Sequence, residues 1–336
     1  MDSALTLVDK KPGRSVTMKD VAREVGVSSA TVSYVLNGLG KVSPEVDERV
    51  RQAAQKLGYT RNLAATALKT GRHNVIGCIV PTLMSPVLPQ IMRAIHDRAR
   101  ELGFATFVVE SETGGEAEAV QVLANHGVDG AIAILEARPE ITDAPLFPIV
   151  VLDREVAGLD SVLCDHFRGG LLVAQHALAL GHRRIGLLSG NPEMESSRLR
   201  REGVVQGLKG QADIVWEVEV PLAPELPADA LAALATRKAT FVASVNDTVA
   251  MGALNGLRSL GIAVPYDVSV MGFDDIAWSS WPVFDLSTIN QPLDEMGRQA
   301  VDLLAVRLGQ PEQPARNVVL PVNLIPRGST RTPGGP

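Results

Sequence analysis

The sequence predicts an α/β protein in two parts: an N-terminal helix-turn-helix bundle, and a two-lobed body of parallel sheets with helical crossovers. Three observations carry this. Residues 17–58 hold three short amphipathic stretches, each opened by a capping residue. From residue 74 onward, apolar runs alternate with amphipathic ones, the rhythm of βαβ units. Charge divides unevenly: residues 1–72 carry 12 Lys/Arg against 7 Asp/Glu, and the remainder carries 20 against 31. A basic front on an acidic body points to a polyanionic partner for the front.

The first helix begins after Thr17, with Asp20 three residues on in a capping-box arrangement. Val21, Ala22 and Val25 share its inner face, and Gly26 permits a tight turn. Ser28 caps a second helix whose inner face is Val32, Val35 and Leu36. Ser43 caps a third, with Pro44 in its first turn, Val46, Val50, Ala53 and Leu57 inward, and Gly58 at its end. The outward residues of the second helix are mostly short: Ser29, Ala30, Thr31, Ser33 and Tyr34. Short side chains let a helix sit deep in the major groove, where base edges are distinguishable. The free amides of its first turn, with Ser28, suit a phosphate oxygen. The bland alternative is a small bundle for protein contacts.

RNLAATALKTGR, residues 61–72, holds barely two helical turns, and so short an isolated helix is marginal in water. Either Leu63 and Leu68 pack on the body, or the segment folds only on DNA with Leu68 wedged into the minor groove. This divides the chain into a helix-turn-helix module at 15–60, a hinge or linker at 61–73, and a two-lobed body at 74–330.

In the body, NVIGCIVP (74–81) reads as a strand buried on both faces. A helix near 86–103, FATFVVES, a helix to about 127, VDGAIAI, FPIVVLD and SVLCD follow. Then come a helix near 167–181, RRIGLLSG, a helix near 197–210, IVWEVEV, a helix near 228–237 and ATFVASVN. A helix near 247–261, DVSVMGF and a late helix at 293–309 complete the series. Two parallel sheets place a ligand at the carboxyl ends of strands, in the cleft between lobes.

Composition bounds the function. Of 336 residues, 46% are hydrophobic and only 4% aromatic, so aliphatic packing dominates the core. No run of about 18 apolar residues exists, so no membrane span is expected. The start MDSALTLVDKKPGR lacks the basic-then-apolar pattern of a secretory signal, which makes a cytoplasmic location the expectation. Cys78 and Cys164 lie in apolar runs and read as buried free thiols without metal spacing. No G-x-G-x-x-G follows a strand and no G-x-x-x-x-G-K-[ST] occurs, so neither a nucleotide cofactor nor an enzyme is indicated. Gly252 and Gly256 read as close-packing residues within a helix, and the six scattered histidines as structural.

The run TMKDVAREVGVSSATVSYVLNG, followed by VSPEVDERVRQAAQKLGYTRNLAATALKTGR, resembles the lactose-repressor/galactose-repressor (LacI/GalR) family of bacterial transcription factors. The resemblance implies a body of the type I periplasmic-binding-protein-like fold. It implies DNA contacts from Thr17, Ser28, Ser29, Ala30, Thr31, Ser33, Tyr34 and Asn37, with Val42, Ser43, Tyr59 and Asn62 supporting. Leu68 matches the minor-groove wedge and Lys69 a neighbouring contact. In the cleft it implies effector contacts from Ser196 and Arg200 in SSRLRREG, Asn246 in SVND, Asp274 in GFDD and Gln291 in STINQP, with Ser85 and Asp153 as further candidates. Arg and Asp suit a polyhydroxylated ligand because their hydrogen bonds are charge-assisted. Arg200 with Asp274 also reads as a plain buried ion pair, and Asp247 as a helix cap.

The chain departs from that pattern after its first strand. PTLMSPVLPQ puts Thr82, Ser85, Val87 and Leu88 where an Asp, an Asn and two aromatics are usual, and Leu222 stands where an aromatic often lines the far wall. Fewer ring platforms weaken stacking on a sugar face or a purine. Trp278 and Trp281 read either as a substitute wall or as a cover for a strand end. The expected partners are double-stranded operator DNA, a sugar, sugar phosphate or polyol effector, and a second copy of the chain. The tail GSTRTPGGP carries no leucine heptad, so a dimer on a roughly palindromic site is the expectation. The resulting function is allosteric transcriptional regulation, most simply repression of carbohydrate genes. The alternatives are a solute-binding protein without DNA regulation and a regulator responding to a non-sugar metabolite.

Overall fold

The computed structural model describes residues 16–36, 42–59, 71–111, 115–135 and 146–334. Contacts divide the chain into two compact units, meeting between His73 and Asn74.

The first unit holds three helices, α1 (Met18–Val25), α2 (Ser29–Leu36) and α3 (Pro44–Leu57). Asp20 closes the first turn of α1 by accepting from both the Thr17 amide (2.9 Å) and the Thr17 hydroxyl (2.7 Å). Ser28 Oγ accepts from the Thr31 amide (3.0 Å) and Ser43 Oγ from the Val46 amide (3.4 Å), so both predicted caps form. Gly26 ends α1 at φ 74°, a left-handed conformation that a β-carbon resists. Val21, Ala22, Val25, Val32, Val35, Val50, Ala53 and Ala54 form one buried cluster. Two arginines of α3 lock the bundle: Arg49 donates to the Val25 carbonyl (2.8 Å) and Arg51 to the Val35 carbonyl (3.1 Å), each near the carboxyl end of a neighbouring helix.

The second unit opens with β1 (Val75–Val80), α4 (Leu88–Glu101), β2 (Ala105–Glu110), α5 (Glu116–Asn125), β3 (Gly130–Ile134), β4 (Ile149–Leu152) and β5 (Asp160–Cys164). The chain then runs through α6 (His166–Ala179), β6 (Arg184–Ser189), α7 (Glu195–Leu208), β7 (Asp213–Glu219), α8 (Ala228–Ala235), β8 (Phe241–Ser244), α9 (Asp247–Ser259) and β9 (Ser269–Met271). It closes with β10 (Thr288–Asn290), α10 (Leu293–Gly309), β11 (Asn317–Leu320) and β12 (Asn323–Ile325). Lobe one is a six-stranded parallel sheet in the order β11-β5-β4-β3-β1-β2. Lobe two is a four-stranded parallel sheet, β7-β6-β8-β9. A short antiparallel pair, β10-β12, stands beside it.

The chain passes between the lobes three times: after β5 into α6, after β10 into α10, and after β11 into β12. Both sheets are covered on two faces, as parallel strands require. One face of lobe one packs Ile76, Cys78, Ile132 and Val150 under α4 and α10, in a cluster that continues through α6 to Ile185, Leu187 and Phe241 of lobe two. The other faces pack against α5 (Ala119, Leu123) and against α8 and α9 (Leu234, Val249, Leu257). Helices α6 and α7 meet at glycine: a β-carbon at Gly170 falls 2.2 Å from the Arg200 carbonyl, and one at Gly203 falls 2.2 Å from the Phe167 carbonyl. Gly252 is likewise a close-packing residue, 2.2 Å from the Pro224 carbonyl on the same construction.

Candidate functional site

The outward side of α2 presents Ser28, Ser29, Ala30 and Tyr34 to solvent, with Thr31 and Ser33 half-buried beside them. Nothing larger than Tyr34, 38% exposed, projects from this face. Thr17, Val42 and Tyr59 are half-buried and Ser43 is exposed. Asn37, Asn62, Leu68 and Lys69 lie outside the described residues.

In the body, the predicted effector residues gather where strands end and lobes connect. Asp153 follows β4 and Asp274 follows β9; their backbones sit at φ 65° and 117°, where a non-glycine residue is strained. Arg200, buried on α7, pairs with Asp274 (Nη1–Oδ1 2.9 Å) and donates to the Val245 carbonyl (2.8 Å). Its guanidinium carbon lies 3.9 Å from the centre of the Phe273 ring, a desolvated cation–π contact. Gln291 donates to Asp274 Oδ1 (2.6 Å), and the Cys164 thiol donates to Gln291 Oε1 (3.2 Å).

His166 completes the network. Arg200 Nε donates to its Nδ1 (3.3 Å), and because a guanidinium only donates, Nδ1 carries the lone pair. Nε2 therefore donates to Asp153 Oδ1 (2.8 Å). The Ser196 hydroxyl stands near enough to help hold the Asp153 carboxylate ionised. Asp153 belongs to lobe one, while Ser196 and Arg200 belong to lobe two, so the network spans the cleft.

Charge state follows from burial and partners. Burial pushes the Asp153 carboxyl up, but His166, Arg200 and Ser196 outweigh it and hold it below the usual carboxylate range. Burial raises the Asp274 carboxyl even against Arg200 and Gln291. Burial, with the nearby Asp153, pushes the Cys164 thiol well above its ordinary value, so it remains an S–H donor. Asp153, Cys164 and His166 present three potential metal-ligand atoms within 4.8 Å of one another. Each already has a hydrogen-bond partner, and the Arg200 cation occupies the imidazole, which reads as a polar network rather than a metal cage.

The remaining predicted residues divide. Ser85 lines a cavity with Asp153 and Gln291. Asn246 Oδ1 accepts from the Val249 amide (2.8 Å), so this residue caps α9. The capping role expected of Asp247 therefore belongs to its neighbour. Asp247 instead accepts from the Ile276 amide (3.0 Å), Ser279 Oγ (2.6 Å) and Thr288 Oγ1 (2.6 Å), and its carboxyl is pushed up to about 7 by burial and by Asp274. Trp278 and Trp281 are 45% and 53% exposed and do not line the cavity beside Asp153.

Residues 17–62 match the bacterial regulatory proteins of the lacI family, and residues 174–330 match the periplasmic binding protein-like domain. The ribose operon repressor of Haemophilus influenzae is 31% identical over 328 residues, covering 93% of this chain and 98% of that protein. The chain belongs to the lacI family of bacterial regulatory proteins. The lac repressor dimer, bound to operator and the anti-inducer ONPF, superposes on this LacI-family chain with a TM-score of 0.80 at 30% identity, covering 95% of this chain and 100% of that one. An Enterococcus faecium LacI-family regulator with bound ribose matches at TM-score 0.69 and 30% identity, covering 77% of this chain and 99% of that one. This LacI-family chain is thus a DNA-binding transcriptional regulator. Among its described residues no helix is long and apolar enough to cross a membrane.

Sequence reasoning on this regulator misses His166 and Cys164. The histidine reads as structural in the sequence, yet it joins Asp153 to Arg200. A signal exists: the run SVLCDH ends a strand, and strand ends face the cleft. Ser244, at the end of β8, is missed too. Its hydroxyl is buried without a hydrogen-bond partner among the described residues, beside a void of about 20 Å³ shared with Ser197 and Arg200, room for one water.

Proposed function

We propose that this regulator is a repressor whose grip on operator DNA is set by a small polyhydroxylated effector held between the lobes. The observation that carries the reading is the chain of hydrogen bonds from Asp153 through His166, Arg200 and Asp274 to Gln291. It joins the two lobes at the carboxyl ends of their strands and offers a ligand alternating charged donors and acceptors. Ser85 and Ser196 add hydroxyls at its edges.

Residues 15–60 bind DNA, with α2 entering the major groove through Ser28, Ser29, Ala30, Thr31, Ser33 and Tyr34. Asn37 extends this groove-facing segment, and Thr17, Val42, Ser43, Tyr59 and Asn62 make supporting DNA contacts. Residues 61–73 form the hinge, with Leu68 wedged into the minor groove and Lys69 making a neighbouring contact, and 74–330 bind effector and the second subunit. The exposed side chains of Leu83, Met84, Trp278 and Trp281 supply the apolar face on which that copy packs. The effector acts by preferring one lobe arrangement; it shifts DNA affinity only by its differential affinity for the two states.

The test is a titration of labelled operator with and without candidate effectors, for the native protein and Arg200→Ala. The variant is expected to keep operator affinity within about threefold and to lose the effector response. An undiminished response removes Arg200 from the effector site.

A further inference from the structure

Beside Asp153 and Gln291, on the lobe-one side of the cleft, lies a cavity of about 60 Å³. Its walls are aliphatic: Val87, Leu88, Ile91, Ile134, Leu152 and Met296, with the hydroxyls of Thr82 and Ser85 at one end. Val87 and Leu88 take the place of the ring platforms a sugar site commonly uses. Thr82, Ser85, Asp153 and Gln291 can hold water at the polar side, but against the aliphatic wall a water lacks the two to four polar partners it needs. A methyl group needs none.

The polar side of the cleft sets a second condition. Asp153 lines this cavity, and the Arg200 guanidinium behind it is already paired with the buried Asp274. A phosphate or carboxylate would meet the Asp153 carboxylate and, among the described residues, no uncommitted cation there.

We propose that the cavity is a methyl subsite, and that the effector is a small neutral polyol with a terminal methyl group, the chemistry of a deoxy sugar. Its hydroxyls bond Asp153, Arg200, Asp274 and Gln291 while the methyl enters the lobe-one pocket. This rests on the reading of the cleft as a polyol site and adds the end group and charge of the ligand.

The experiment is isothermal titration of the full-length protein with matched pairs: 5-deoxy-D-ribose and D-ribose, D-fucose and D-galactose, L-fucose and L-galactose, L-rhamnose and L-mannose. In at least one pair the deoxy member is expected to bind about tenfold to a hundredfold more tightly, the scale on which an apolar pocket rejects an added hydroxyl. Val87→Phe, which fills the cavity, is expected to abolish that preference while operator binding persists. If hydroxylated members bind as well as their deoxy partners, the methyl subsite is wrong and the polyol cleft stands. If no member of any pair binds, both are wrong. Unchanged deoxy-sugar affinity in V87F also overturns the subsite.

Discussion

Asp247 shows how one side chain organises the cleft side of lobe two. Its carboxyl gathers an amide and two hydroxyls from two separate segments, the 276–279 turn and β10, and it does so buried beside Asp274. A carboxyl raised from 3.8 to about 7 is more readily protonated in the folded protein than in the unfolded chain. Its contribution to stability is therefore complete below about pH 4 and is lost as pH rises towards 7. In thermal or urea melts, the stability difference between the native protein and Asp247→Asn should fall by a few kcal/mol across that window, at about 1.4 kcal/mol for each tenfold drop in proton activity. A constant difference would show that the carboxyl is not raised. Gly272 is bound to the same hub: a β-carbon there falls 2.2 Å from Asp247 Oδ1 and 3.0 Å from its Cα. Gly272→Ala should cost roughly 1–3 kcal/mol, measured by urea unfolding.

At the scale of elements, the pattern of the chain is almost wholly legible. Long amphipathic stretches with caps declare their helices: the late helix expected at 293–309 is α10 with those bounds, and the box at Thr17 and Asp20 closes as its residue types demand. Strands β10, β11 and β12 are not legible, because each has only three or four residues and its partner is remote in sequence; β11 pairs with β5, Asn317 against Ser161. The cleft is half legible. Arg200 and Asp274 carry motif signals, whereas His166 acquires its role only when α6 is placed against α7, a contact that no local spacing encodes. That contact depends on Gly170 and Gly203, which let the helix backbones approach. Gly203→Ala should push α7 away from α6, destabilise the body by about 1–3 kcal/mol, and blunt the effector response by displacing Arg200, one turn earlier on the same helix. Calorimetry and the operator titration read the two effects separately; a variant with native stability and response would show that the helices tolerate the added carbon.

At the scale of the whole molecule, charge is segregated by unit, with an excess of basic residues before residue 73 and of acidic residues after it. Operator affinity should fall steeply with salt, with a log–log slope of about −0.9 for each phosphate neutralised, read by anisotropy between 50 and 200 mM salt. A flat plot would remove the basic front from the interface. The three passages between lobes have a consequence for biosynthesis. Lobe one takes α10 and β11 from residues 293–320, after the whole sheet of lobe two has been made. A ribosome thus releases the sequence of the three-helix head some 250 residues before the sensing half has all its parts. During translation the DNA reader precedes its own control, and a product ending before α10 would carry the first without the second.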